Sequence, residues 1–172
     1  MKGKILFREE QSFVGTWTWY LLIFVTLLAT IPMLLAIWND EKSNDALIGL
    51  IVTLVVLGSI LTLMTFCRLN VIIDTKDIYY RYPPFVNKEK RLGKEDIVDM
   101  EVRKYRPIWE YGGYGNRYSM KSGRALNVSG RLGLQLILRD KKKLLIGTAK
   151  PEALKRAIVQ LQSNWNNPDQ NA

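Results

Sequence analysis

The chain has 172 residues with a formal net charge of +9, set by 25 Lys and Arg against 16 Asp and Glu, and contains one cysteine and no histidine. A lone Cys67 excludes an internal disulfide and a CxxC metal site. The lack of histidine removes Ser-His-Asp and Cys-His triads, HExxH zinc chemistry and histidine phosphotransfer as they are usually built.

Residues 1–16 read as a short cytoplasmic segment carrying Lys2, Lys4 and Arg8. No charged residue occurs from Gln11 through Trp38 or from Ala46 through Cys67, and both stretches are rich in Leu, Ile and Val. Each exceeds the roughly 20 apolar residues that carry a helix across a bilayer. The pattern predicts membrane spans over 17–38 and 46–67, joined by an external connector over 39–45. A soluble core helix is the alternative, but these runs are too long and show no polar face. A cleaved signal peptide fits the first run poorly, because its apolar stretch exceeds the roughly 7–15 residues of such segments and no small-residue cleavage site follows.

Trp17, Trp19 and Tyr20 at the entry of the first span and Trp38 at its exit suit the headgroup level, as interfacial anchors. Pro32 predicts a kink. Thr26 with Thr30, and Gly58 with Thr62, are small-residue pairs that let helices approach closely. Lys and Arg flank the outer ends of the two spans, while the connector has only Lys42, so both termini are expected in the cytoplasm of an inner-membrane, multi-pass protein. By segment, 1–16 carries +1, the connector −2 and 68–172 +10. A basic domain beside an anionic leaflet explains that balance more simply than nucleic acid, which is not expected as a partner. Cys67, at the cytoplasmic end of the second span, reads as an ordinary interfacial thiol, with S-acylation the alternative.

Beyond Arg68 the period becomes alternating. Leu69–Asp74 and Ile78–Tyr82 form a predicted hairpin around Asp74-Thr75-Lys76-Asp77, ended by Pro83 and Pro84; Asn87–Leu92 is a third strand. From Ile97 to Tyr105, Val98, Met100 and Val102 alternate with Asp99, Glu101 and Arg103. Pro107 to Gly115 reads as irregular. Leu132, Leu134, Leu136 and Leu138 line one face of a strand that turns at Asp140–Lys142 and returns over Lys143–Gly147. Leu154, Ala157, Ile158 and Leu161 have helical spacing, with Pro151 in the first turn and Thr148 as its cap. The cytoplasmic domain is thus expected over 68–163 and a flexible tail over 164–172. Strands followed by one amphipathic helix define an α+β domain, the helix closing a curved antiparallel sheet.

VIIDTKDIYYRYPPF, IVDMEVRKYRPIWEYGGYGNR, GRALNVSGRLGLQLIL and KKLLIGTAKPEALKRAI together resemble the bacterial pleckstrin-homology-like (PH-like) domain family, and the resemblance takes in the helical hairpin ahead of them. It implies a seven-stranded, strongly bent sheet capped by a C-terminal helix, and it does not imply an enzyme. Eukaryotic PH domains bind phosphoinositides through basic residues around the first hairpin. Here that turn offers Lys76 between Asp74 and Asp77, so such recognition is not implied.

Trp109–Arg117, WEYGGYGNR, looks like a phosphate loop but lacks a following helix, a GxGxxG spacing and a G-K-[ST] ending; its glycines suit a bend in a curved sheet. Asn127-Val128-Ser129 matches a glycosylation acceptor, which is silent in the cytoplasm, and Gly130 favours a turn. Arg117, Arg124 and Arg131, each near a glycine-rich turn, are the candidate interaction patch, against the alternative of solvated charges on unrelated surfaces. No catalytic residue, metal site or cofactor is indicated. The leading expectation is a non-enzymatic integral membrane protein whose domain binds or assembles with protein partners or with itself, and the alternative is sensing of anionic lipid headgroups. An enzyme would need a cleft with perturbed ionisable groups.

Overall fold

The structure, a computed structural model, describes residues 3–39 and 43–166. They fall into two units: Ser12–Cys67, and the residues through Gln11 together with those from Arg68 onward. Helices α1 (Trp17–Trp38) and α2 (Ser43–Phe66) form the first. Leu, Ile and Val spread round both helices leave neither with a polar face. Only 6% of the apolar window of α1 and 0% of that of α2 is buried, whereas the core helix of a soluble protein would be mostly covered. Both helices are long and apolar enough to cross a membrane.

Their hydroxyls are spent locally: Thr26 donates to the Leu22 carbonyl, Thr30 to that of Thr26 and Thr62 to that of Gly58, the arrangement apolar surroundings demand. Thr30 is buried, but Gly58 has open space around it and Thr62 is exposed. The two helices meet elsewhere, with Thr53 Oγ1 3.8 Å from Met33 Sδ. Trp17, Tyr20 and Trp38 stand exposed at the ends of α1, with Trp19 half-buried. α2 begins at Ser43 rather than Ala46, inside the expected 39–45 connector; Lys42 lies outside the described residues.

The second unit is the expected α+β layout, built differently in detail. One sheet has the order β1 (Ile5–Ser12), β2 (Arg68–Asp74), β3 (Ile78–Tyr82), β4 (Val86–Leu92). The other runs β5 (Ile97–Lys104), β8 (Leu132–Leu138), β9 (Lys143–Thr148), β7 (Gly123–Asn127), β6 (Gly115–Ser119), with β7 and β9 parallel. The resemblance implies seven strands in one bent sheet; among the described residues there are nine, in two sheets. Leu69, Val71 and Ile73 of β2, Tyr82 of β3, and Leu134 and Leu136 of β8 are buried, as is the Leu154, Ala157, Ile158, Leu161 stripe of α4 (Pro151–Asn166).

Strand β1 is the chief departure, because residues 1–16 read as a short cytoplasmic segment in which no strand is expected. Thr75 N–H donates to the Lys4 carbonyl near one end and Arg68 pairs with Glu10 near the other, so β1 lies antiparallel to β2. Its inward residues include Glu9 and Gln11, and that breaks the apolar alternation by which strands are recognised. Glu9 accepts from Thr148 Oγ1 at 2.6 Å and from Ala149 N–H at 2.8 Å, ahead of α4, where a carboxylate meets the positive end of the helix. Gln11 Nε2 donates to the Gly147 carbonyl at 2.8 Å. Thr148 Oγ1 in turn accepts from Lys150 N–H in a turn ahead of the helix, and Lys150, whose carbonyl accepts from Leu154 N–H, holds the capping position expected of Thr148.

In β5 a bulge between Ile97 and Asp99 shifts the register, burying Ile97 and Met100 and leaving Val98 66% exposed. α4 continues through Asn166 into the expected 164–172 tail, because Trp165 Nε1 donates to the Lys76 carbonyl at 2.7 Å and Asn164 to that of Thr75 at 3.2 Å. The remainder of that tail, 167–172, lies outside the described residues. Between β5 and β6 a short helix, α3 (Pro107–Tyr111), replaces the expected irregular stretch. Pro107 opens it and Gly112, with φ of 72°, closes it, a pairing of residues suited to those two ends. The glycines of WEYGGYGNR therefore end a helix and open an edge strand.

Candidate functional site

Strand register gathers charges that are far apart in sequence. Tyr80 lies opposite Lys90, Tyr118 opposite Arg124, and Arg124 opposite Leu144. Opposite residues share a sheet face. The three pairs, with the β6–β7 turn (Met120, Lys121) and the β8–β9 turn (Asp140–Lys142), line an open groove of about 680 Å3. Its cations are Lys90, Lys121, Arg124, Lys141, Lys142 and Lys143, and its one acidic residue is Asp140.

Asp140 is already answered: Lys142 Nζ lies 2.6 Å from its carboxylate. That bond, with the Lys142 N–H, holds the Asp140 carboxyl below the usual range and raises the Lys142 ammonium. The other five cations face a hollow with no further carboxylate in its lining. Arg124 Nε donates to Asn116 Oδ1 at 2.9 Å, which fixes the guanidinium over β6 without neutralising it. Burial pushes the Tyr80 phenol up, opposed by the Arg124 charge. So the floor stays neutral while the rim is cationic, the arrangement that focuses an electrostatic field on an anion.

Two backbone features set the rim. Gly123 has φ of 79°, and a Cβ there would fall against the Lys143 carbonyl oxygen, so only glycine lets β7 begin beside β9. Lys141 is the one non-glycine residue with positive φ among the described residues, at 63°. It aims the lysine turn at a conformational cost.

The opposite face of β6–β7 is covered by α3. Ala125 lies opposite Leu145, and both join Tyr105 and Tyr111 in a buried cluster. Arg103 donates to Glu110 at 2.9 Å and to Gln135 at 3.0 Å, while Glu110 also accepts the Arg106 N–H at 2.7 Å. Burial alone would push the Glu110 carboxyl up, but these bonds and the Arg103 and Arg106 charges outweigh it and hold the carboxyl below its ordinary value. Burial pushes the Tyr105 phenol up to about 12, so it stays protonated while accepting from Asn127 Nδ2. Asn127 is fully buried and also accepts the Gly115 N–H, a structural role for the Asn of the N-V-S match.

The three arginines of the candidate patch are split. Arg124 lies in the groove, whereas Arg117, opposite Ala125, projects from the α3 face and donates Nε to the Tyr114 carbonyl. Arg131 lines a separate hollow with Arg106, Ile108, Trp109 and Tyr114. The lysines, Tyr80 and Tyr118 escaped the sequence reading. The turn at Asp140–Lys142 was legible, but the crossing that brings it to Lys121 runs through the parallel β7–β9 pair, which no local pattern announces. Among the described residues no three or more Cys, Asp or Glu side chains gather as a metal site would require. Comparison with protein-family models, curated proteins and solved structures finds no match.

Proposed function

We propose that the chain is a non-enzymatic membrane protein whose PH-like domain is a binding module, taking an acidic segment of a protein partner in the basic groove. The supporting observation is the lining: six cations against one already paired carboxylate, over a floor that includes Tyr80, Leu92, Leu138 and Leu144. A concave hollow with an apolar floor admits an extended chain carrying both acidic and apolar side chains.

Both helices cross the membrane in this reading. Because β1 precedes α1 and β2 follows α2, their pairing in one sheet requires the crossings between them to be even in number. With two crossings the N-terminal strand and the domain share one side. The excess of Lys and Arg there supports the cytoplasm as that side.

The test is a photo-crosslinking side chain in place of Met120, at the groove rim, in the full chain in native membranes. Crosslinks to a polypeptide that are lost on Lys121→Glu with Lys143→Glu, and are displaced by an acidic but not a neutral peptide, support the reading. Crosslinks to lipid alone overturn it in favour of headgroup sensing, and none at all from correctly inserted protein overturns it outright.

A further inference from the structure

α3 carries a second surface, unrelated to the groove. Trp109 is 86% exposed and Ile108 63%, side by side on a helix whose two end residues, Pro107 and Tyr111, are buried. The helix is fixed from below. Arg103 bonds Glu110, Glu110 accepts the Arg106 N–H, and Tyr111 stacks edge-on against Tyr105 with centroids 6.0 Å apart. The two apolar side chains are therefore presented by a rigid platform.

Three arginines surround them. Arg106 and Arg131 line the same hollow of about 300 Å3 as Ile108 and Trp109, and Arg117 is tied to the backbone of Tyr114 beside it. The one nearby carboxylate, Glu110, is committed to Arg103 and to the Arg106 N–H. An apolar tip ringed by arginines is complementary to a surface with phosphates outside and hydrocarbon within.

We propose that the Ile108–Trp109 tip is a bilayer-contact element, entering the headgroup region of an anionic leaflet while Arg106, Arg117 and Arg131 meet lipid phosphates. The ring of arginines favours lipid phosphates, and the apolar tip is small for a protein occupant. A large aromatic buries roughly 150–250 Å2, so Trp109 with Ile108 falls well short of the roughly 800 Å2 per partner in a stable protein interface. A bilayer contact can be that small when the chain is already anchored, since tethering supplies an effective concentration on the order of millimolar.

This inference rests on the membrane-spanning reading of α1 and α2, and the test separates the two. The full chain with Cys67→Ala is placed in nanodiscs, and a nitroxide is attached in turn at Ile108→Cys, at Val159→Cys on the exposed side of α4, and at Val55→Cys in α2. In discs with anionic lipid the Ile108 label should lose access to a water-soluble nickel relaxant and gain access to oxygen, while the Val159 label stays in water. Purely zwitterionic discs, or Arg106→Glu with Arg131→Glu, should return the Ile108 label to water. A Val55 label in lipid with the Ile108 label in water overturns this inference alone; a Val55 label in water overturns the spanning reading as well. Protection of both Ile108 and Val159 overturns the specific tip, and protection in detergent with spin–spin broadening assigns the tip to self-association instead.

Discussion

The two faces of the β6–β7 pair are made from interleaved residues of the same short strands, yet they are organised by opposite rules. Beneath α3 the half-buried and buried polar groups meet their complements, Arg103 with Glu110 and Tyr105 with Asn127, and Ala125 and Leu145 are fully buried between tyrosines. On the groove face charges of one sign are collected, and the backbone accepts a strained lysine to hold them there. With the proposed function, stability and binding are divided across a single layer. A substitution on one face should be read in unfolding, and a substitution on the other in ligand affinity.

Gly123→Ala attacks what both faces share, since the new methyl meets the Lys143 carbonyl and the residue must hold a positive φ. It should cost about 3 kcal/mol, lowering the thermal midpoint of the detergent-solubilised chain more than any groove lysine does. Smaller, and confined to the α3 face, is Glu110→Gln, which should cost about 1 kcal/mol for a pair whose side chains are 27% and 28% exposed.

Acid sharpens the same contrast. The folded-state pKa of Glu110 is lowered, so its contribution is present above the ordinary glutamate value of about 4.3 and is lost as pH falls through the lower folded value. Hydrogen-exchange protection of the α3 amides should therefore hold at neutral pH and decline below about pH 4. In Glu110→Gln that acid-dependent step should be missing.

Lys141→Gly reverses the usual sign. Relieving the positive φ should stabilise the chain by about 1 kcal/mol while weakening binding of an acidic peptide. Last comes Lys121→Ala with Lys143→Ala, which should leave stability within about 0.5 kcal/mol but lower acidic-peptide affinity and flatten its salt dependence, measured by titration at several ionic strengths. An unfolding effect larger than that of Glu110→Gln would break the division between the faces.

How much of this was legible varies with how local the cause is. The helices were, because bilayer-length apolar runs state their structure in composition alone. So were the β2–β3 and β8–β9 hairpins and the buried stripe of α4, each set by spacing within a few residues. Strand β1 was hidden because Glu9 and Gln11 occupy inward positions where alternation calls for apolar residues, and their partners lie at Gly147 to Ala149. α3 had its terminal signals, Pro107 and Gly112, but too few residues between them to show a period. Of the site, Arg124 was found and assigned to a patch with Arg117 and Arg131 that the register divides. Nothing local could join Lys90 to Lys143.

The place of β1 in the chain also sets an order of assembly. It is made before both helices and its partner β2 only after them, so the sheet must wait for a segment of the other unit to be completed. Joining strands across so long an intervening chain would ordinarily carry a large closure entropy. Once α1 and α2 pack as a hairpin, that entropy has already been spent, and the helix pair serves the first sheet as a two-residue turn serves an ordinary β-hairpin. A fragment beginning at Arg68 would lose this: β2 would become an open edge, and the start of α4 would be left without the carboxylate of Glu9.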